Sequence, residues 1–244
     1  MFKLIKSEEI MNKTKQNLNV SRRNLLKFGA GVAGTAALTA GLGTKVNWLK
    51  EKPAIAGNNI TPDEALNQLL EGNKRFIENK RKNPNQTMTR IQEVAQGQAP
   101  FAAILSCADS RVPAEIIFDR GFGDLFVVRN AGNVATPEEI GSLEFGTLVL
   151  GAKVLMVIGH QSCGAVKATI AGNAVPGQIG SILDAIKPAI KPNQTLEESI
   201  ISNVKLGMSR LQASPVISQL IKDGKLKIVG GYYDLDKGMV KVVA

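Results

Sequence analysis

Three short apolar runs set the rhythm of the chain from residue 101 onward: Phe101-Ala102-Ala103-Ile104-Leu105, Leu125-Phe126-Val127-Val128 and Lys153-Val154-Leu155-Met156-Val157-Ile158. Each is uncharged apart from the leading lysine, and each reads as a β-strand covered on both faces. Helical signals separate them. Thr61-Pro62-Asp63-Glu64, Thr136-Pro137-Glu138-Glu139 and Thr195-Leu196-Glu197-Glu198 each place a threonine three residues before a glutamate, the capping box that opens a helix. Leu66, Leu69, Leu70, Phe76 and Ile77 form the apolar face predicted after the first box, and Asn83-Pro84-Asn85 ends that segment. Ile140, Leu143 and Leu148 follow the second box; Ile200, Ile201, Val204, Met208 and Leu211 follow the third. Ser214-Pro215 starts a shorter helix that stops at Gly224, and residues 226–232 read as a fourth strand. Asp236-Lys237-Gly238 turns that strand into a closing one at 239–243. The expected fold is α/β: a mainly parallel β-sheet with an antiparallel edge, flanked by helices.

Residues 1–56 stand apart from this pattern. Ser21-Arg22-Arg23-Asn24-Leu25-Leu26-Lys27 precedes a Gly/Ala-rich stretch at 28–44, and Ala54-Ile55-Ala56 supplies a small-x-small cleavage pattern. Together they resemble a twin-arginine export leader. That resemblance implies engagement of the twin-arginine export machinery and delivery to a periplasm or thylakoid lumen, with membrane association if the leader is retained. A transmembrane anchor is the competing reading, but 28–44 is 17 residues with five glycines, against the ~20 apolar residues a span requires. The working domain is then 57–244, 188 residues, long enough for one packed α/β core.

The leader also changes what the charge means. Of a net +9, residues 1–56 carry ten Lys/Arg and three Asp/Glu, leaving 20 basic and 18 acidic residues for 57–244. A domain so nearly neutral lacks the basic excess of a nucleic-acid binder. Its short run Lys80-Arg81-Lys82 reads as a solvated helix end.

The chain holds one histidine, His160, and two cysteines, Cys107 and Cys163. Cys107 opens Cys107-Ala108-Asp109-Ser110-Arg111 just after the first apolar run; His160-Gln161-Ser162-Cys163 follows the third. In open parallel sheets, ligands gather at the carboxyl ends of strands. If those two strands are neighbours, two thiolates and one imidazole converge, the donor set of a catalytic zinc site with a fourth position for water or a carboxylate. Asp109 is within sequence reach of that position. Gly159 and Gly164 flank the second motif and are expected to allow close backbone approach. A Cys107–Cys163 disulfide is the chief rival in an exported protein.

Cys107-Ala108-Asp109-Ser110-Arg111 followed by His160-Gln161-Ser162-Cys163 resembles the Cys-x-Asp-x-Arg and His-x-x-Cys motifs of the β-class carbonic anhydrases. The likeness extends through Val127-Val128-Arg129-Asn130-Ala131-Gly132-Asn133 and Gly231-Tyr232-Tyr233-Asp234. It implies that Cys107, His160 and Cys163 bind Zn2+, which would make hydroxide from bound water for attack on carbon dioxide. It also implies that Asp109 either takes the fourth position or pairs with Arg111, leaving the metal open to water. Asp109 and Arg111 are thus the candidate catalytic residues. Gln98 matches a substrate-binding glutamine often supplied by a neighbouring subunit, and Phe126 an aromatic lining of a narrow substrate pocket. Phe145 stands where many relatives carry tyrosine. The family builds homodimers or larger homo-oligomers, so N-terminal helices are expected to embrace a partner copy. Two other readings stay open: a hydrolase of another small linear molecule such as carbon disulfide, and a non-catalytic zinc-stabilised oligomer.

Overall fold

Each capping threonine does open a helix in the computed structural model, which describes residues 59–244; the segment expected to be an export leader lies outside the described residues. Helix α1 (Pro62–Ile77) follows Thr61, and α2 (Met88–Val94) lies between it and the first strand. Strand β1 is Ala102–Cys107, followed by the single turn α3 (Ala114–Ile117) and strand β2 (Leu125–Asn130). Helix α4 (Pro137–Glu144) widens into a π-turn at Phe145–Val149 before strand β3 (Val154–His160). Helices α5 (Gly164–Ala171), α6 (Ile179–Ile186), α7 (Leu196–Gln212) and α8 (Pro215–Lys222) precede strands β4 (Lys227–Asp234) and β5 (Met239–Val242).

The sheet order is β2-β1-β3-β4-β5. The first four strands run parallel and β5 pairs antiparallel with β4, as the alternation of strands and helices predicts. Ala102, Ile104, Val154, Met156 and Ile158 face one core with Ala65, Leu69 and Phe118. Ala103, Leu105, Leu155 and Val157 face the other with Val204, Met208 and Leu211 of α7. Both faces of β1 and β3 are therefore covered, which is why these strands read as unbroken apolar runs.

Two glycines let α7 lie unusually close to the sheet. A Cβ on Gly159 would stand 2.8 Å from both Ile200 and Val204, and one on Gly230 2.8 Å from Val204 and Met208. The close approach expected at Gly164 is absent, because nothing lies within 4 Å of its would-be Cβ. The expected apolar face of α1 also shifts. Ala65, Leu69, Gly72 and Asn73 form its buried stripe, while Ile77 is exposed, since Gly72 brings the helix against the Phe118 backbone. Leu148 is likewise exposed: it lies inside the π-turn, five residues after Leu143 and about 140° away from it around an α-helix.

Candidate metal centre

Cys107 and His160 are the last residues of adjacent parallel strands. Ser106 pairs with Ile158, so 53 positions of sequence reduce to two neighbouring strand ends. The chain then turns sharply through Ser162, a left-handed residue with φ +59°, and delivers Cys163 to the start of α5. The two sulfurs and an imidazole nitrogen all lie within 4.8 Å of one another, and all three residues are buried. Both cysteines are free thiols.

The imidazole is poised as a ligand. Its Nδ1 is 3.0 Å from the Gln161 carbonyl, which fixes that nitrogen as the N–H and leaves Nε2 with its lone pair. Nε2 is buried and has no hydrogen-bond partner. A buried nitrogen left unpaired beside two sulfurs fits a soft divalent cation such as zinc.

The thiols differ in acidity. Cys107 is pushed down, chiefly because it accepts a hydrogen bond from Cys163, with the Gly132 and Asp109 backbone N–H groups assisting against burial. Cys163 is pushed up, as the donor of that bond and by burial. Without a cation the pair shares one proton.

Asp109 and Arg111 complete the cluster. Arg111 Nε and Nη2 donate to Asp109 Oδ1 and Oδ2 at 2.9 and 2.8 Å. The guanidinium holds the Asp109 carboxyl well below the usual carboxylate range, outweighing partial burial. Asp109 Oδ2 stays 3.8 Å from His160 Nε2, beside the donor cluster.

Gln98 and Phe126 are not brought to these residues within one chain. Gln98 precedes β1 and lines a recess of about 420 Å³ with Val94, Phe122 and Gly123. The six residues of β1, at ~3.3 Å each, separate that end of the strand from Cys107 by roughly 17 Å. Phe126 pairs with Ala103 near the same end and packs its ring 6.4 Å from that of Phe145.

Residues outside the expected site hold the three donors in place. Arg129 donates to the carbonyls of Cys107 and Asp109 at 3.0 and 2.7 Å, clamping the loop that carries both. Asn130 bonds Val134 through both amide atoms, and Gly132 N–H donates to Cys107 Sγ at 3.3 Å. Gln161 Nε2 donates to Asp236, and its Oε1 accepts from the Leu235 backbone, at 2.8 and 2.9 Å, which anchors the His160 turn to the β4–β5 loop. Arg129 and Gly132 lie in the stretch that carries the family likeness, a signal that points to them without naming their partners.

Known proteins share this architecture. The family profile "Carbonic anhydrase" matches residues 102–240. Carbonic anhydrase 2 of Mycobacterium tuberculosis is 38% identical over 193 residues, covering 74% of this chain and 92% of the relative. The carbonic anhydrase of Mycolicibacterium smegmatis is 37% identical over 194 residues, covering 75% and 94%. Among solved structures, the Coccomyxa β-carbonic anhydrase in complex with acetazolamide superposes with a TM-score of 0.57 at 27% identity, covering 73% of this chain and 86% of that one. A tetrameric β-carbonic anhydrase of Sordaria macrospora shares the fold with a TM-score of 0.60 at 22% identity, covering 74% and 98%. With the two cysteines, the histidine and the Asp–Arg pair assembled at the ends of neighbouring strands, the chain belongs to the β class of the carbonic anhydrase family.

Proposed function

We infer that this chain catalyses the reversible hydration of carbon dioxide to bicarbonate and a proton, with zinc held by Cys107, His160 and Cys163. The observation that carries the reading is the convergence of those three donor atoms within 4.8 Å around an imidazole nitrogen that has no partner in the protein. Bound zinc supplies a Lewis acid that makes water acidic enough to act as a nucleophile near neutral pH.

The protein's own groups do the orienting. Asp109, kept ionised by Arg111, can only accept hydrogen bonds. It therefore takes a proton contact from the attacking oxygen and turns that oxygen's lone pair toward the substrate carbon. Arg111 occupies both carboxylate oxygens in a bidentate pair, which keeps Asp109 beside the donor cluster. No second histidine is present to carry the released proton, so that proton passes to buffer, to water or to another residue of the protein.

The active form in this reading is a homodimer or larger homo-oligomer. Gln98 and Phe126 lie at the far end of β1 and β2 from Cys107, so Gln98 meets substrate only from a partner copy. The Ser21-Arg22-Arg23 segment and Ala54-Ile55-Ala56 support export by the twin-arginine machinery, with 57–244 as the delivered enzyme in a periplasm or thylakoid lumen.

Stopped-flow measurement on zinc-loaded protein tests the activity. Rapid hydration of carbon dioxide, lost in Cys163→Ala, is expected. Zinc-loaded protein inert toward carbon dioxide from pH 7 to 9 but turning over carbon disulfide would replace this reading with the hydrolase one. Inertness toward both substrates would leave a structural zinc protein.

A further inference from the structure

Asn203 is a polar residue on the buried stripe of α7, among Ile200, Val204, Gly207, Met208 and Leu211. An amide buried among apolar neighbours is costly unless it is bonded. Its Nδ2 donates to the Gly132 carbonyl at 2.8 Å, across 71 positions of sequence.

Gly132 has two polar backbone groups, and both are engaged. Its carbonyl is held by Asn203, and its N–H donates to Cys107 Sγ at 3.3 Å. The residue is left-handed, with φ +77°, and a Cβ there would stand 2.6 Å from Ile186 and 3.1 Å from Ala165. Its place between α5, α6 and α7 is thus set by sterics on one side and by Asn203 on the other. Helix α7 cannot drift from the sheet without opening the contacts at Gly159 and Gly230, so Asn203 is a fixed post.

An N–H aimed at a thiolate stabilises negative charge on sulfur and withdraws electron density from any metal that the sulfur binds. We propose that Asn203 is a positioning residue: by holding the Gly132 carbonyl it keeps the Gly132 N–H on Cys107 Sγ and so limits how strongly that sulfur donates to the bound metal. The proposal rests on Cys107 being a metal ligand. Asn203 itself touches none of the three donors, and its effect reaches the metal through one glycine.

Two measurements test it. In the cobalt-substituted enzyme, Asn203→Leu is expected to move the sulfur-to-cobalt charge-transfer band to longer wavelength. Leu211→Ala, a cavity variant farther along the same helix, should weaken the fold and leave the band in place. An unmoved band in folded Asn203→Leu, or an equal shift in Leu211→Ala, overturns the proposal. The second measurement needs no variant. In the cadmium-113-loaded native enzyme, the Gly132 amide proton should show scalar coupling to cadmium through the sulfur, and absence of that coupling overturns the proposal while leaving cadmium–sulfur ligation intact. If the native cobalt protein shows no sulfur-to-cobalt band at all, Cys107 is not a ligand, and it is the underlying metal assignment that fails.

Discussion

Arg111 grips Asp109 by three hydrogen bonds, two from its guanidinium at 2.9 and 2.8 Å and one from its own backbone N–H at 3.0 Å. Asp109 and Arg111 lie two and four residues beyond Cys107, so the geometry of the pair is tied to the loop that carries this candidate ligand. Removing the guanidinium frees the carboxylate to rotate toward the donor cluster. Arg111→Ala is expected to lower kcat/KM for carbon dioxide by about 10–100-fold. Arg111→Lys should not restore it, because an ammonium cannot make the bidentate pair. Stopped-flow kinetics on the two variants check this.

The same pair gives a stability signature with a defined sign. Asp109 is depressed below its ordinary value by Arg111, so its contribution is complete above the unfolded Asp pKa of about 3.9 and is lost as pH falls through the lower folded value. The Tm difference between the parent protein and Arg111→Ala should be flat above roughly pH 5 and shrink below about pH 4. A difference that instead disappears on raising the pH would show that another group controls it.

Metal uptake should release a countable proton. With Cys107 pushed down and Cys163 pushed up by the hydrogen bond they share, the metal-free pair keeps a proton on Cys163. A cation that binds both as thiolates displaces the remaining proton. Titration calorimetry of zinc into metal-free protein, in buffers of differing ionisation enthalpy near pH 7, should return about one proton from this pair.

Gly159→Ala should damage the fold and the centre together. The added methyl would stand 2.8 Å from Ile200 and Val204, one residue before His160. Overpacking of this kind costs about 1–3 kcal/mol, measurable by urea unfolding, and zinc affinity should fall with it. Val204→Ala in the same chain makes room and should recover part of both losses.

Intersubunit complementation probes the place assigned to Gln98. Gln98→Ala and Cys163→Ala should each be nearly inactive alone. In mixed oligomers, a site with intact ligands receives Gln98 from its neighbour, so activity should rise above that of either parent. No gain on mixing would remove Gln98 from the partner's site.

Much of this was legible from the chain because strand ends and capping boxes are local signals. The ligands were readable for another reason: with one histidine and two cysteines there was little else to choose, and both clusters followed apolar runs. Helix α6 carries no capping signal in the sequence, because its N-cap residue Gln178 makes no side-chain cap bond. The exposed Ile77 shows what periodicity misses, since the close approach of Gly72 to the Phe118 backbone decides which face turns inward. Arg129 and Asn203 act across 22 and 71 positions, and such partnerships appear only once the strands are paired. Asn203 left one trace, a polar residue that with Ser199 interrupts a mainly apolar helical stripe.

Because the donors come from the ends of two different strands, β1 and β3, and from the turn after the second, any occupant adds a direct tie between segments that backbone pairing and core packing already hold side by side. Fraying at that rim of the sheet then requires release of the ion. Amide protons at Ala108 and Gln161, which bond to Asn130 and Tyr233, should exchange with solvent far more slowly in the loaded enzyme than after chelation, making the cation a rivet for the sheet as well as a reagent.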